Sequence, residues 1–335
     1  MSGEAVSGSA VGRPGGVWGG QPVPVPVVPS SVGRLAPVVD RAPSSVTPAI
    51  PVLDDVSRLV EERGARGRAA VLRVLRGTAP VGRVVAVLGM AGAGRSTVAA
   101  QLACAAAAHH PGPVVVVDGS GSVWPGLVRR LPAEPGCVPD WPDFGALLAE
   151  PDPVPTLRAF VHSARQDVGD TGVLGRVVRL GGIAPARRFE PLAPSSLLAA
   201  VELCRSVCRL TIVDCPAEAH VLARVCETAA DALLVVCRAD ASELLRCGSL
   251  LDLLARDTDR DVHGRAVVVA VGHRPGRWPK RAAAAEAAAG GAAVAVVRMP
   301  YDAVLAEADS PVAHGGEAAE RITAVCAVVA EQRRY

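Results

Sequence analysis

The stretch VVAVLGMAGAGRST, residues 84–97, decides the fold. Residues 84–88 are uninterrupted Val, Ala and Leu, as expected of a strand buried on both faces. A glycine-rich turn follows, and from there to residue 109 the apolar positions recur at helical spacing. Strand, turn and helix in this order form the setting in which G-x-x-x-x-G-K-[ST] cradles phosphate. Glycines let backbone N–H groups turn inward at the positive end of the helix. Gly89, Gly94 and Ser96 fit that pattern, Gly92 and Ala93 lie within the turn, and Thr97 follows. The lysine position is held by Arg95.

That substitution keeps the charge and changes the shape. Lysine is a compact point charge that reaches between outer phosphates, whereas guanidinium is a broad planar fork. Weaker nucleotide affinity is expected, and poorer transition-state positioning still.

Downstream of the loop, short apolar runs alternate with helical patterns. The runs are 84–88, 113–118, 176–180, 210–214, 232–237, 266–271 and 293–298; the helical patterns are 96–109, 195–208, 218–229, 242–256, 279–289 and 316–333. Continuous apolar strands between helices predict a doubly wound α/β domain with a mainly parallel sheet, over residues 83–335. Residues 132–172, rich in Pro and Asp, are expected to form an irregular surface insertion. Upstream, 52–82 reads as a lead-in helix and linker, with periodic apolar positions through 52–76. Residues 1–51 are rich in Pro, Gly, Ser and Val and read as a disordered arm. A plain tether is the ordinary role for such an arm, and a proline-binding protein partner the alternative.

Two strands end in aspartate, at Asp118 and Asp214. Beside a phosphate loop such residues give the outer contact to a magnesium ion, with Ser96 as its direct ligand. Turn or cap formation explains either one alone.

Composition adds boundaries. A net charge of +2 over 335 residues gives no field strong enough to imply nucleic acid or membrane. Aromatics make up 3%, so Ala, Val and Leu must build the core. Nine cysteines without any C-x-x-C read as reduced, apolar-packing thiols of a cytosolic protein. The N-terminus lacks the charge and apolar pattern of a secretory signal, and no apolar run reaches a span of roughly 18–20 residues. A cytoplasmic protein follows, peripheral at the membrane at most.

Taken together, these residues resemble the ParA/MinD superfamily of P-loop ATPases. MAGAGRST at 90–97 matches in register that family's K-G-G-x-G-K-[ST]-[ST]. VVVVDGS at 114–120 is similar to its second-strand motif, and TIVDCPA at 211–217 to its Walker B segment. Residues 229–254 resemble the strand and helix that follow. MPYDAVLAEAD at 299–309 looks like the late I-P-x-D loop, which places Pro300 near a base. The resemblance implies ATP and Mg2+ as cofactors and a homodimer. It also shows departures. The family's signature lysine falls on Met90, the second aspartate of D-x-D on Ser120, and a late asparagine on Val271 or Gly272. No catalytic residue is carried over.

The lysine-free G-A-G-x-S-T form, with DWPDF at 140–144, is similar to the CpaE/TadZ-like and septum-site-determining branch of localisation factors. The proline-rich arm and MPYD resemble MinD-like proteins linked to type VII secretion. Three functions therefore stand open: a nucleotide-responsive localisation or scaffold factor with slow hydrolysis, an active ATPase using Arg95, and an interaction module that binds no nucleotide.

Smaller features have ordinary readings. The last helix, with Ile322, Val325 and Val329 on one stripe, is expected to pack on the core rather than on a membrane. Trp124, Trp141 and Trp278 suit loop packing or partner anchoring. His109 and His110 suit the negative end of a helix.

Overall fold

Seven apolar runs do become strands, and all of them lie parallel. In a computed structural model, residues 53–61, 64–77, 82–109, 112–119, 126–131, 141–167, 177–181, 193–215, 225, 228–307, 312 and 316–331 are described. The arm expected over 1–51 lies outside them, as do Ser120, Trp124 and His110.

The strands are β1 (Arg83–Gly89), β2 (Val114–Asp118), β3 (Val177–Gly181), β4 (Leu210–Asp214), β5 (Ala232–Arg238), β6 (Ala266–Val271) and β7 (Ala295–Met299). They form one sheet in the order β3-β2-β4-β1-β5-β6-β7, every pair parallel. Their residues alternate between two cores. Val84, Ala86 and Leu88 of β1 face one, while Val85 and Val87 face the other. Burial on both faces is why these strands read as unbroken apolar runs.

One face is covered by α1 (Leu53–Glu61), α2 (Gly64–Gly77), α3 (Arg95–His109), α4 (Gly126–Arg130) and α11 (Glu317–Glu331). The other carries α5 (Trp141–Leu148), α6 (Pro153–Asp167), α7 (Pro194–Val207), α8 (Ala241–Arg256) and α9 (Lys280–Gly290). A short α10 (Ala303–Ala306) follows β7. Ten residues of α3, Val98 through Ala107, are buried. A helix enclosed nearly all round needs small side chains, and alanine supplies them.

Two expectations about organisation change. The lead-in is two helices, Leu53–Glu61 and Gly64–Gly77, rather than one, with Gly64 at φ +80 opening the second. A left-handed backbone cannot continue a right-handed helix, so the chain turns there. Both helices pack on the domain: Val56, Leu59, Val71 and Leu75 enter the same core as α3 and α11. Leu75, with no exposed surface, makes this testable. Leu75→Ala should cost about 3 kcal/mol in thermal or urea unfolding, whereas a solvated lead-in helix would lose almost nothing.

The second change concerns 132–172, expected as an irregular insertion. Residues 141–148 and 153–167 are helical, and Leu147, Leu157 and Val161 join the core with α7.

The last helix packs inward as expected, with Ile322, Val325 and Val329 fully buried. His109, ending α3, meets Glu320 of α11 at 3.2 Å, and Arg68 of α2 reaches the same carboxylate at 3.3 Å. Trp278 donates to Glu286 at 2.7 Å under the guanidinium of Arg298, a local packing arrangement. The seven described cysteines are buried free thiols. Burial pushes Cys104, Cys208 and Cys326 up to about 12, which leaves them inert at neutral pH. Among the described residues, no helix is long and apolar enough to cross a membrane.

Candidate functional site

In a doubly wound sheet, ligands sit beyond the carboxyl ends of the strands, where successive connections leave in opposite directions. Here β1 lies between β4 and β5, and its carboxyl end runs into the loop 90–94 and then α3. A cavity of about 620 Å³ opens at that point. Residues 90–98 line it, with Gly126 and Arg129 of α4, Arg238 of β5, and the β6 and β7 ends. From β1 to β7 is three strand spacings, about 14 Å, enough to lay out a nucleotide from phosphate to base.

The loop has the backbone its glycines foretell. Gly92 and Gly94 take φ of +73 and +90. Nothing lies within 4 Å of a Cβ added at Gly94, so the chain there borders open space. Gly89 answers a different need, since its added Cβ would lie 2.4 Å from the Val236 carbonyl oxygen. Ala93 N–H donates back to Met90 C=O at 3.1 Å, closing the turn. The first-turn amides of α3 have no preceding helix carbonyl to bond, and Arg95, Ser96 and Thr97 line the cavity.

Arg95 does something the sequence does not disclose. Its Nε donates to Asp214 Oδ1 at 2.5 Å, across 119 residues of chain. Ser96 Oγ donates to the other oxygen, Oδ2, at 2.6 Å. Asp214 is fully buried. Burial pushes its carboxyl above the ordinary range, while the Arg95 guanidinium and the Ser96 hydroxyl act in the opposite sense. Asp118 sits one strand over, in register with Asp214, and Gly119 N–H donates to Asp214 C=O at 2.9 Å. Asp118 is nearly buried, and its charge opposes the burial-driven lowering of Arg179 on β3.

The three residues expected to hold magnesium are thus neighbours, with one of their two carboxylates already paired. Magnesium wants near-octahedral oxygens at about 2.0–2.1 Å. The Ser96 hydroxyl donates to Asp214 and keeps its lone pairs for an ion, and Gly126, lacking a Cβ, leaves the space beside Ser96 Oγ that a side chain would fill. The carboxylate that would balance the ion already has a guanidinium.

The loop after β7 borders the same cavity, lined there by Pro300, Tyr301 and Asp302. Asp302 caps α10, accepting from Val304 N–H at 2.9 Å and Leu305 N–H at 3.3 Å. At Gly272, one of the two positions where the resemblance would put an asparagine, an added Cβ would lie 2.7 Å from Tyr301 N. Met90, at the signature-lysine position, is exposed at the cavity rim.

Several lining residues had no flag in the sequence. Arg238 donates to Gly92 C=O at 3.2 Å and so holds the loop from the β5 side. An arginine ending an apolar strand was the available signal. Gly126 and Arg129 gave none, because α4 is brought to Ser96 by the tertiary fold.

Comparison with known proteins finds no matching family model and no match among curated proteins. Among solved structures, a ParA family ATPase from Chlorobium tepidum TLS matches with a TM-score of 0.51 at 17% identity, over 75% of this chain and 98% of that one. A nucleotide-binding protein in complex with ADP from Archaeoglobus fulgidus matches with a TM-score of 0.40 at 16% identity, over 68% and 86% of the two chains. A substituted McdA from Cyanothece in complex with ATP gives 0.41 at 15%, over 69% and 88%. The first of these, together with the all-parallel sheet order, identifies the chain as a doubly wound α/β protein with the fold of the ParA-family ATPases.

Proposed function

We propose that this chain binds a nucleoside triphosphate, ATP, at the loop 89–97 and hydrolyses it weakly or not at all. Its output is nucleotide-dependent homodimerisation, in the role of a localisation or scaffold factor for division, pilus assembly or secretion. The observation that carries the reading is the Arg95–Asp214 pair. Phosphoryl transfer depends on positioned charge at the outer phosphates. A guanidinium tied back to a buried carboxylate is held from following that charge as it develops. Binding asks for less, since loop amides, the positive end of α3 and Arg238 remain at the cavity.

The test is titration of the full chain with labelled ATP and millimolar magnesium, followed by steady-state phosphate release. Uptake with release at background is expected. Arg95→Lys should bind about tenfold more tightly, because lysine reaches the outer phosphates. Weaker binding by that variant would make arginine the adapted residue, and sustained turnover by the natural chain would make it an ATPase.

A further inference from the structure

Resting on that nucleotide reading, we propose that Arg238 reads the terminal phosphate and so sets a preference for nucleoside triphosphate over diphosphate. The residue ends β5, the strand beside β1, and lines the cavity. Its guanidinium lies against the phosphate loop, with Nε and Nη2 donating to Gly92 C=O at 3.4 and 3.2 Å. Gly92 makes room for it, since a Cβ there would lie 2.9 Å from Arg238 Nη2.

The base of this side chain is fixed while its head is lightly held. Arg238 N–H donates to Glu243 Oε2 at 2.7 Å, and the residue is in register with Val271 on β6. Both guanidinium bonds share one neutral carbonyl, Glu243 stands 3.9 Å from Nε, and the side chain is 45% exposed. Two other arginines at the cavity are committed elsewhere. Arg95 is paired with buried Asp214 at 2.5 Å, and buried Arg130 donates to Leu305 C=O at 2.8 Å. Loop amides serve the inner phosphates of a nucleotide, so a diphosphate leaves Arg238 on Gly92. A terminal phosphate offers the fork two charged oxygens in place of one carbonyl, and such charge-assisted bonds are about twice as strong.

The experiment is calorimetric titration of the full chain with ATP and with ADP, both in millimolar magnesium chloride. The natural chain should prefer ATP by about thirtyfold, and Arg238→Ala should bring that ratio to about threefold or less. Arg238→Lys, which restores the charge without the paired bonds, should fall between them. Arg129→Ala removes an equal charge from the α4 side of the cavity and should keep the ratio. Equal losses of ATP and ADP affinity in Arg238→Ala would reduce Arg238 to a prop for the loop and overturn the inference. A ratio lost equally in Arg129→Ala would assign the preference to cavity charge at large and overturn it too. A natural chain that binds both nucleotides alike would sink the inference and leave the nucleotide reading standing. Uptake of neither, by protein with a cooperative melt, would remove both together.

Discussion

Arg95→Ala should lower stability by about 3 kcal/mol at neutral pH, and the loss should deepen as pH rises. Asp214 is fully buried, and its charge is met by the Arg95 guanidinium and the Ser96 hydroxyl. Removing the guanidinium leaves a buried carboxylate with one hydroxyl partner. In the intact protein burial already holds this carboxyl above its unfolded value, so the folded state binds its proton more tightly than the unfolded state does. Such a group contributes most below its unfolded pKa, and the contribution is lost as pH rises through the folded pKa. Arg95 is the leading influence that lowers the folded value. Without it the folded pKa climbs further, and the loss continues to higher pH. Thermal melts from about pH 5 to about pH 8 should therefore show a widening gap between Arg95→Ala and the natural chain. Adding Asp214→Asn, which cannot ionise, should flatten that dependence. A gap that narrows with pH would mean that Arg95 does not hold the carboxylate in its charged form.

The same pair marks where the sequence stops being legible. Strands were readable because each is enclosed on both faces, and position 84–97 was readable because strand, turn and helix are contiguous. Where Arg95 points depends on β4 lying beside β1, and that adjacency joins residues 119 apart. Spacing along the chain locates a charge without naming its counter-ion. Gly126 and Arg238 escaped for the same reason, since each reaches the loop through the sheet order. The misreading of 132–172 has a different cause. Proline content argues against helix there, yet Pro153 opens α6 and Pro142 is the second residue of α5. The N–H groups of the first helical turn have no intrahelical partner, so proline costs no hydrogen bond there. The break at Gly64 is the converse: a glycine inside an apolar period, hidden in the pattern because periodicity continues on both sides of it.

Gly89→Ala should fail to give a stable fold, or melt roughly 6–12 °C below the natural chain. The glycine ends β1 and is in register with Val236 on β5. Its added Cβ would lie 2.4 Å from the Val236 carbonyl oxygen and 3.2 Å from the carbonyl carbon. Both contacts are backbone in adjoining strands near the middle of the sheet, so no rotamer change relieves them. Relief requires spreading β1 from β5, which breaks the ladder that aims the loop, at a cost of about 3 kcal/mol. Gly94→Ala separates this clash from the ordinary demands of a turn. Its Cβ would meet nothing within 4 Å, and the left-handed φ of +90 alone should cost about 1–2 kcal/mol. The ordering of the two variants is therefore diagnostic. If Gly89→Ala melts above Gly94→Ala, the strands part more easily than their register implies, and the loop's aim is set by its own turn rather than by the close approach of β1 and β5.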